Sequence, residues 1–199
     1  MTKKTLMKKI ILPVSVALLV LCSFTYSVMQ SWSIDSAHSR LGFKVKHMGI
    51  SDANGAFDKL TCSVNTANDI DFNGATFEMT IDANSINTGL DARDNHLKSD
   101  DFFAVSKFPT LQFKSTSCKK MKDNKYQITG ALTMHGITKE VTLDATHNGN
   151  AKNRAGSDIA GFYICGKINR LDFEVGKDMP LAVVENSVLL QADLEFVKN

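Results

Sequence analysis

Hydrophobic and polar residues alternate along most of this chain from residue 41 onward, with the period of two that β-strands show. Residues 41–47 and 75–82 are clear examples, because apolar side chains recur at every second position. The same alternation returns in later segments, at residues 111–113, 126–134, 141–147, 160–168 and 188–196. Alternate side chains of a strand point to opposite faces, so each segment has one apolar and one polar face, as in an antiparallel sheet with one wet side.

Turn residues and one weaker run complete this pattern. Residues 60–64 form the weaker run, and Phe57 has the opposite parity, which predicts a bulge or a strand bend nearby. His135-Gly136 predicts a tight hairpin, and the polar residues 148–157 predict a connecting loop. About eight strands in meander order predict an all-β fold, either a closed barrel or a two-sheet sandwich.

One long stretch, residues 83–109, carries no sustained alternation. Within it, residues 91–99 fit a short helix, because acidic residues lie early, where the helix dipole favours them. Phe102 and Phe103 follow as an apolar anchor that must be buried. The short helical excursion around residues 90–103 is therefore either a lid or plug at one end of the fold or a well-packed connecting loop.

The N-terminus has the pattern of a secretory signal. Residues 1–9 are rich in lysine, and residues 10–21 form an apolar run of 12 residues, which is too short to span a bilayer comfortably. We assign residues 1–27 to a signal peptide, with cleavage within a few residues of that boundary, and residues 28–199 to one exported domain. The expected location is periplasmic or secreted, and the alternative is an uncleaved anchor.

Composition and charge exclude several classes of protein. With 43% hydrophobic and 22% charged residues the chain has ordinary globular composition, so fibrous and wholly disordered classes are excluded. The net charge of +2 depends on four lysines in the first nine residues. Without those lysines acidic residues outnumber basic ones, so nothing indicates nucleic-acid binding. No other apolar run approaches membrane length, and we expect no stable membrane insertion after processing.

Cysteine and histidine spacing gives no support to a redox or metal centre. Beyond the leader the chain has Cys62, Cys118 and Cys165, which allow at most one disulfide, and burial as small hydrophobic side chains is favoured over a bridge. The five histidines have no spacing that places two on one helix or strand face. We therefore predict no metal and no cofactor. His47 and His147 each end an apolar face, as histidines at a barrel rim do.

Catalytic motifs are also missing. The chain has neither a GxSxG nor an HExxH motif. Residues 161–167 match a phosphate-loop pattern by accident, because they read as a strand and no Ser or Thr follows. The densest polar cluster is Arg93-Asp94-x-His96, whose members do not share a helix face, so an ion-paired, hydrogen-bonded loop clamp is favoured.

Ordered motifs run through the chain after the leader. They are Trp32-Ser33-Ile34-Asp35-x-x-His38-Ser39, Phe43-x-Val45-x-His47, Gly55-x-Phe57, Ile86-x-Thr88-Gly89, Arg93-Asp94-x-His96-Leu97, Asp101-Phe102-Phe103, Phe108-Pro109-x-Leu111-x-Phe113-x-Ser115, Gly130-x-Leu132-Thr133-x-His135-Gly136-x-Thr138-Lys139 and Ile168-Asn169-Arg170-x-Asp172-Phe173. In this order and spacing they resemble the YceI family. One departure is Glu174, which follows Phe173 where the family often has Gly, so a turn with positive φ there would be strained or rebuilt.

The resemblance implies an eight-stranded, antiparallel, lipocalin-like β-barrel with an elongated apolar tunnel and no established enzymatic activity. It implies a ligand with a long apolar chain: a polyisoprenoid, an isoprenoid quinone or a fatty-acid-like amphiphile. A barrel of eight strands is just wide enough either to be filled by its side chains or to hold one slim ligand, and strand parity does not decide between these. The oligomeric state, including a homodimer, is left open.

The residues expected to line the tunnel are the inward positions of the predicted strands. They are Phe43, Val45, Phe77, Met79, Ile81, Phe113, Leu132, Met134, Leu143, Phe162, Ile164 and Leu190, with Phe102 and Phe103 closing or shaping one end. Methionine adapts to irregular apolar shapes, which suits a chain-like ligand and also suits simple gap filling.

Three functions remain at this point. The leading hypothesis is a protein that sequesters or carries an apolar-chain lipid. The second is an enzyme acting on such a lipid, for which the acid–base candidates are His38, His47, His96, Arg93 and Asp94. The third is a structural or stress-response accessory that acts through protein contacts and has a filled barrel. The leading hypothesis predicts no catalytic residues.

We expect the leader to be removed on export, because a lysine-rich segment precedes a short apolar run and small residues. Intact-mass measurement of protein from the periplasmic or secreted fraction should give a chain that begins near residue 28. A mass that includes Met1 would contradict the assignment.

Overall fold

The computed structural model describes residues 29–199, so the predicted signal peptide, residues 1–27, lies outside the described residues. In chain order the elements are β1 Gln30–Ile34, β2 Arg40–His47, β3 Ser51–Phe57, β4 Leu60–Thr66, β5 Thr76–Asp82, β6 Ile86–Asn87, α1 Asp91–Lys98, β7 Thr110–Lys120, β8 Lys125–Met134, β9 Ile137–Lys152, β10 Asp158–Asn169 and β11 Val184–Lys198. Within residues 29–199, no helix has the length and apolar character needed to cross a membrane.

These strand segments make an eight-stranded barrel, because three of its strands are each interrupted once. β1 and β2 both pair with β11, and they pair with β4 and β3 respectively on their other side. The next interrupted strand consists of β5, which pairs with β4, and β6, which pairs with β3. Antiparallel pairing from β5 through β7, β8, β9 and β10 to β11 closes the ring. The predicted all-β, eight-stranded antiparallel barrel is confirmed.

The interruption between β3 and β4 explains the change of parity at Phe57. Phe57 and Leu60 both pack in the interior, although residues three apart on a regular strand point to opposite faces. Asp58 and Lys59 interrupt the strand between them. The strand bend predicted from the opposite parity of Phe57 is confirmed.

The hairpin between β8 and β9 agrees with its prediction, whereas the hairpin between β9 and β10 is longer than predicted. β8 and β9 are joined by His135-Gly136 alone, with φ values of 53° and 76°, so the predicted tight hairpin is confirmed. The loop predicted over residues 148–157 was wrong in its extent, because β9 continues to Lys152 and Ala151 pairs with Ile159. This part of β9 is mostly exposed on both faces, so backbone pairing holds it without an apolar period.

The barrel interior contains two clusters of buried side chains, one toward each end. The first includes Trp32, Phe72, Phe77, Phe162 and Phe196. The second lies at the end where α1 packs and includes Phe57, Phe102, Leu132, Met134 and Phe173. Inward positions of the alternating strands supply most of both clusters, as the period-two pattern predicted.

The helical excursion lies at the second end of the barrel. The helix, Asp91–Lys98, agrees with the predicted 91–99. Thr88 connects it to the barrel: the Arg93 Nε donates to the Thr88 Oγ1 at 2.7 Å, and the Thr88 amide donates to the buried Asp94 Oδ1 at 2.9 Å. His96 Nε2 lies 3.0 Å from an oxygen of Asp101. The hydrogen-bonded part of the predicted clamp is confirmed, with Thr88 as its centre, whereas the predicted ion pairing is not seen between Arg93 and Asp94, which both bond to Thr88 instead.

Glu174 ends the short 3₁₀ helix Arg170–Phe173 in the left-handed conformation, with φ 55° and ψ 20°. Its amide donates to the Arg170 and Leu171 carbonyls, so the turn requires this geometry. The turn therefore keeps the positive φ that suits glycine, although the residue is glutamate, and the backbone carries the strain expected from the sequence.

Replacing Glu174→Gly should raise the free energy of unfolding by about 0.5–1 kcal/mol, because glycine adopts positive φ without a Cβ clash and loses part of that gain to its greater freedom when unfolded. Urea unfolding measures the change. Glu174→Ala is the control, since it keeps the Cβ and removes the exposed contact with Lys177. An equal gain in the alanine variant would show that the backbone is not the cause.

Candidate functional site

Two apolar cavities lie in series inside the barrel. The first has a volume of about 70 Å³, and the second, toward α1, about 120 Å³. Their walls expose only apolar surface. Both are lined by Leu41, Ile81, Leu132 and Leu190, so they adjoin, and we call the two together the passage. Apolar cavities of this size stay dry and accept apolar ligands.

Thirteen of the fourteen predicted tunnel residues line these two cavities. Phe77, Met79, Phe113, Leu143 and Ile164 line the first; Phe43, Val45, Phe102, Phe103 and Met134 line the second; Ile81, Leu132 and Leu190 line both. That these side chains contact a ligand stays a prediction. Leu41, Phe57, Leu97 and Val188 also line the passage and were not among the predicted residues, although the alternation already marked Leu41 as inward.

The remaining predicted residue, Phe162, lies in the aromatic end of the barrel and borders neither cavity. Its ring packs edge to face on Phe72 at 4.8 Å and on Phe77 at 5.8 Å between centroids. The ring of His147 stacks on it at 4.9 Å. Phe72 comes from the loop before β5, and its amide donates to the Tyr126 hydroxyl oxygen at 3.4 Å. These contacts close this end of the passage.

The opposite end opens into a larger cavity of about 330 Å³, which we call the mouth. It shares Phe43, Val45, Leu97, Phe102 and Val184 with the second cavity, so the apolar passage continues into it. Polar side chains also border the mouth: Lys46, His47, Ser51, Asp52, Asn54, Thr88, Arg93 and His96. Several of them are exposed, so the passage runs from a closed aromatic end to a polar opening.

Arg170 holds the segment that forms one wall of the mouth. Its side chain is buried, and its guanidinium donates to five backbone carbonyls, those of Val175, Gly176, Met179, Val184 and Glu185. Burial lowers the pKa of Arg170 below its ordinary value, and the carbonyl dipoles satisfy the donors without a carboxylate partner. Sequence reasoning placed Arg170 in a motif but gave it no role, because main-chain carbonyls leave no trace in side-chain patterns.

The five acid–base candidates do not form one group. His47, Arg93 and His96 border the mouth, whereas Asp94 is buried against Thr88. His38 lies in the segment between β1 and β2, where its Nδ1 is 3.0 Å from an oxygen of Asp35. General acid–base catalysis needs groups that lie within hydrogen-bond reach of the same reacting atoms. These five residues are not gathered at one place, so they do not form such a group.

Asp35, His38 and Glu195 bring their donor atoms within 4.8 Å of one another. Hydrogen bonding to Asp35 raises the pKa of His38 and lowers that of Asp35. The group does not border the passage described above. Half-exposed carboxylates with a neighbouring histidine are common without a metal, so the geometry alone assigns no ion here.

All three cysteines of the described residues are free thiols. Cys62 and Cys165 border the first cavity, and Cys118 lies in the closed-end cluster. Burial raises the pKa of Cys62 to about 12 and that of Cys118 to about 11. Both thiols therefore stay protonated and act as small hydrophobic side chains, as the sequence favoured.

Comparison with known proteins identifies relatives of this chain. The family described as YceI-like domain matches residues 32–196. The protein named UPF0312 protein SAB2563 from Staphylococcus aureus (strain bovine RF122 / ET3-1) is 39% identical over 170 residues, covering 84% of this chain and 94% of that protein. A homologue from Staphylococcus aureus strain N315, UPF0312 protein SA2479, has the same identity and coverage.

Solved structures share the fold. The Campylobacter jejuni YCEI protein superimposes with a TM-score of 0.69 at 33% identity, covering 83% of this chain and 96% of that one. Burkholderia cenocepacia BcnA gives 0.71 at 27% identity, with coverage of 81% and 98%. A polyisoprenoid binding domain from Saccharophagus degradans gives 0.64 at 17% identity, with coverage of 84% and 98%, and at that identity the likeness concerns the fold alone.

Proposed function

This chain belongs to the YceI-like domain family, and from that premise we propose that it is an exported protein that holds an apolar-chain lipid inside its barrel. The observation that carries the proposal is the series of adjoining apolar cavities with one closed and one polar end. A protein that only needed a stable barrel would fill this space, since unfilled volume in a core costs stability.

The shape of the passage favours a slim, flexible chain. Eight strands leave an interior wide enough for one such ligand. Each buried methylene contributes about 0.8 kcal/mol, so part of a prenyl or acyl tail binds without an ionic anchor. The solved neighbour named for polyisoprenoid binding has the same fold, which supports this ligand class. We propose a long-chain isoprenoid or a fatty-acid-like lipid.

The polarity of the walls favours one orientation of the lipid in the barrel. A charged or strongly polar group in either inner cavity would lose its water without gaining a partner, which costs several kcal/mol. At the mouth, by contrast, the donors of Lys46, His47 and Arg93 are in reach of solvent. We therefore propose that the apolar tail points to the aromatic end and the head group stays at the mouth.

Catalysis on such a lipid is the weaker alternative. Several polar groups in and beside the mouth already have structural partners: Arg93 and the buried Asp94 bond to Thr88, and Lys46 pairs with Asp52 at 3.0 Å. An accessory role through protein contacts, with no ligand, is the other alternative. It predicts that the purified protein neither contains nor takes up lipid.

The N-terminal leader is the basis for the location that we propose. Its lysine-rich start and short apolar run support export to the periplasm or the medium. A carrier of apolar chains has a clear use there, because such chains do not cross water unaided.

Replacing Met79→Trp should remove most of the retained lipid and leave the urea midpoint nearly unchanged. Met79 borders the first cavity, where about 70 Å³ of free space can receive the larger ring. If that space is instead already filled in solution, overpacking should lower stability by about 1–3 kcal/mol. Lipid per chain and the urea midpoint are measured on the same preparations.

Met121→Trp is the matched control, because Met121 is 62% exposed and lies in the turn between β7 and β8, outside the barrel. It should change neither quantity. Undiminished lipid in Met79→Trp together with a strongly lowered midpoint would contradict the proposed position of the ligand.

A further inference from the structure

Three large aliphatic side chains lie exposed beside the mouth, and we call them the apolar rim: Met48, Ile50 and Leu181. Their exposed fractions are 58%, 85% and 55%. Met48 and Ile50 belong to the turn between β2 and β3, and Leu181 to the segment before β11. The Met48 amide donates to the Val183 carbonyl at 2.9 Å, which holds the two turns together.

Met48 has a backbone conformation in this turn that methionine rarely adopts. It has φ 51° and is followed by Gly49 with φ 70°, the geometry of a hairpin turn in which asparagine, aspartate or glycine is favoured. A methionine here is strained, and because its side chain is exposed, core packing does not compensate the strain. Residues that break a local rule without a packing gain are candidates for function.

The apolar rim is continuous with the passage. His47, next to Met48, borders the mouth, and so do Val183 and Val184, which follow Leu181 closely in the chain. Exposure alone would not single out this place, since Ile70 and Met121 are 78% and 62% exposed at the aromatic end. The distinguishing feature is that the rim adjoins the opening that leads to the described inner cavities, whereas Ile70 and Met121 do not.

The ion pairs near the apolar rim involve three lysines and two carboxylates. Lys44 and Lys46 both face Asp52, at 3.7 and 3.0 Å, and Lys177 faces Glu174 at 3.4 Å. These pairs leave an excess of one positive charge, which is small for a surface that recognises its partner by charge. Exposed aliphatic side chains on a surface with so little net charge instead suit the hydrocarbon boundary of a lipid bilayer.

We propose that the apolar rim inserts into the surface of a lipid bilayer, so that a chain passes between the bilayer and the tunnel without crossing water. The inference rests on the proposed function, because it gives the route by which the lipid enters. Each methylene exposed to water during transfer raises the barrier, so contact between mouth and bilayer speeds both loading and release.

Site-specific fluorescence tests where the bilayer lies. An environment-sensitive dye is attached to Ile50→Cys or Leu181→Cys of the exported protein, in a background carrying Cys165→Ala, because Cys62 and Cys118 are buried. Adding phosphatidylethanolamine–phosphatidylglycerol vesicles should shift the emission to the blue and raise its intensity several-fold. Ile70→Cys and Met121→Cys, labelled in the same way, should not respond.

No response at residues 50 and 181, or an equal response at residues 70 and 121, would overturn the proposal. A response that follows protein concentration in the absence of vesicles would also overturn it, because the rim would then be a contact between two copies. The dye reports its own surroundings, so an N-terminal segment bound to the vesicle would not imitate the result.

Transfer kinetics separate this proposal from the proposed function. With a fluorescent prenyl lipid in donor vesicles, the double variant Ile50→Asn and Leu181→Asn should transfer about tenfold more slowly than wild type while holding the same lipid per chain. The matched control is Ile70→Asn with Met121→Asn, which should transfer at the wild-type rate. Unchanged transfer by the rim variant would overturn the docking proposal and leave lipid binding intact, whereas wild-type protein without lipid would contradict the proposed function.

Discussion

Closure of the eight-stranded ring is the constraint on which the rest of this structure depends. Because β11 pairs with β10 on one side and with β1 and β2 on the other, the backbone of this sheet has no long free edge. Closure also fixes the interior width and directs every second side chain inward. Interior side chains then decide, position by position, whether the space is filled or left as a passage.

The two ends of the ring use that interior differently. At one end, rings from Phe72, Phe77 and Phe162 meet edge to face and leave no passage. At the other end, Arg170 spreads its donors over five main-chain carbonyls and so holds a connecting segment beside the mouth. Aromatic packing therefore makes a blind end, and a buried cation that bonds only to backbone carbonyls helps to make a defined opening.

The sequence predicted the strands and their inward faces well, because period-two alternation reports directly which side of a sheet is dry. The alternation does not indicate how far along the barrel axis a side chain lies. Phe162 was therefore predicted correctly to face inward, but not to belong to the aromatic end. The sequence also indicated a turn with positive φ after Phe173, and Glu174 has that conformation although it is not glycine. Arg170 and the extension of β9 to Lys152 could not be predicted, since both depend on backbone hydrogen bonds that no side-chain pattern encodes.

The central claim is that the interior holds one apolar chain, and native mass spectrometry of the exported protein, purified without detergent, tests it most directly. The account predicts a mass excess equal to one long-chain lipid per protein chain, which disappears after extraction with organic solvent. The bare mass of the chain, unchanged after incubation with prenyl and fatty-acyl lipids, would contradict it.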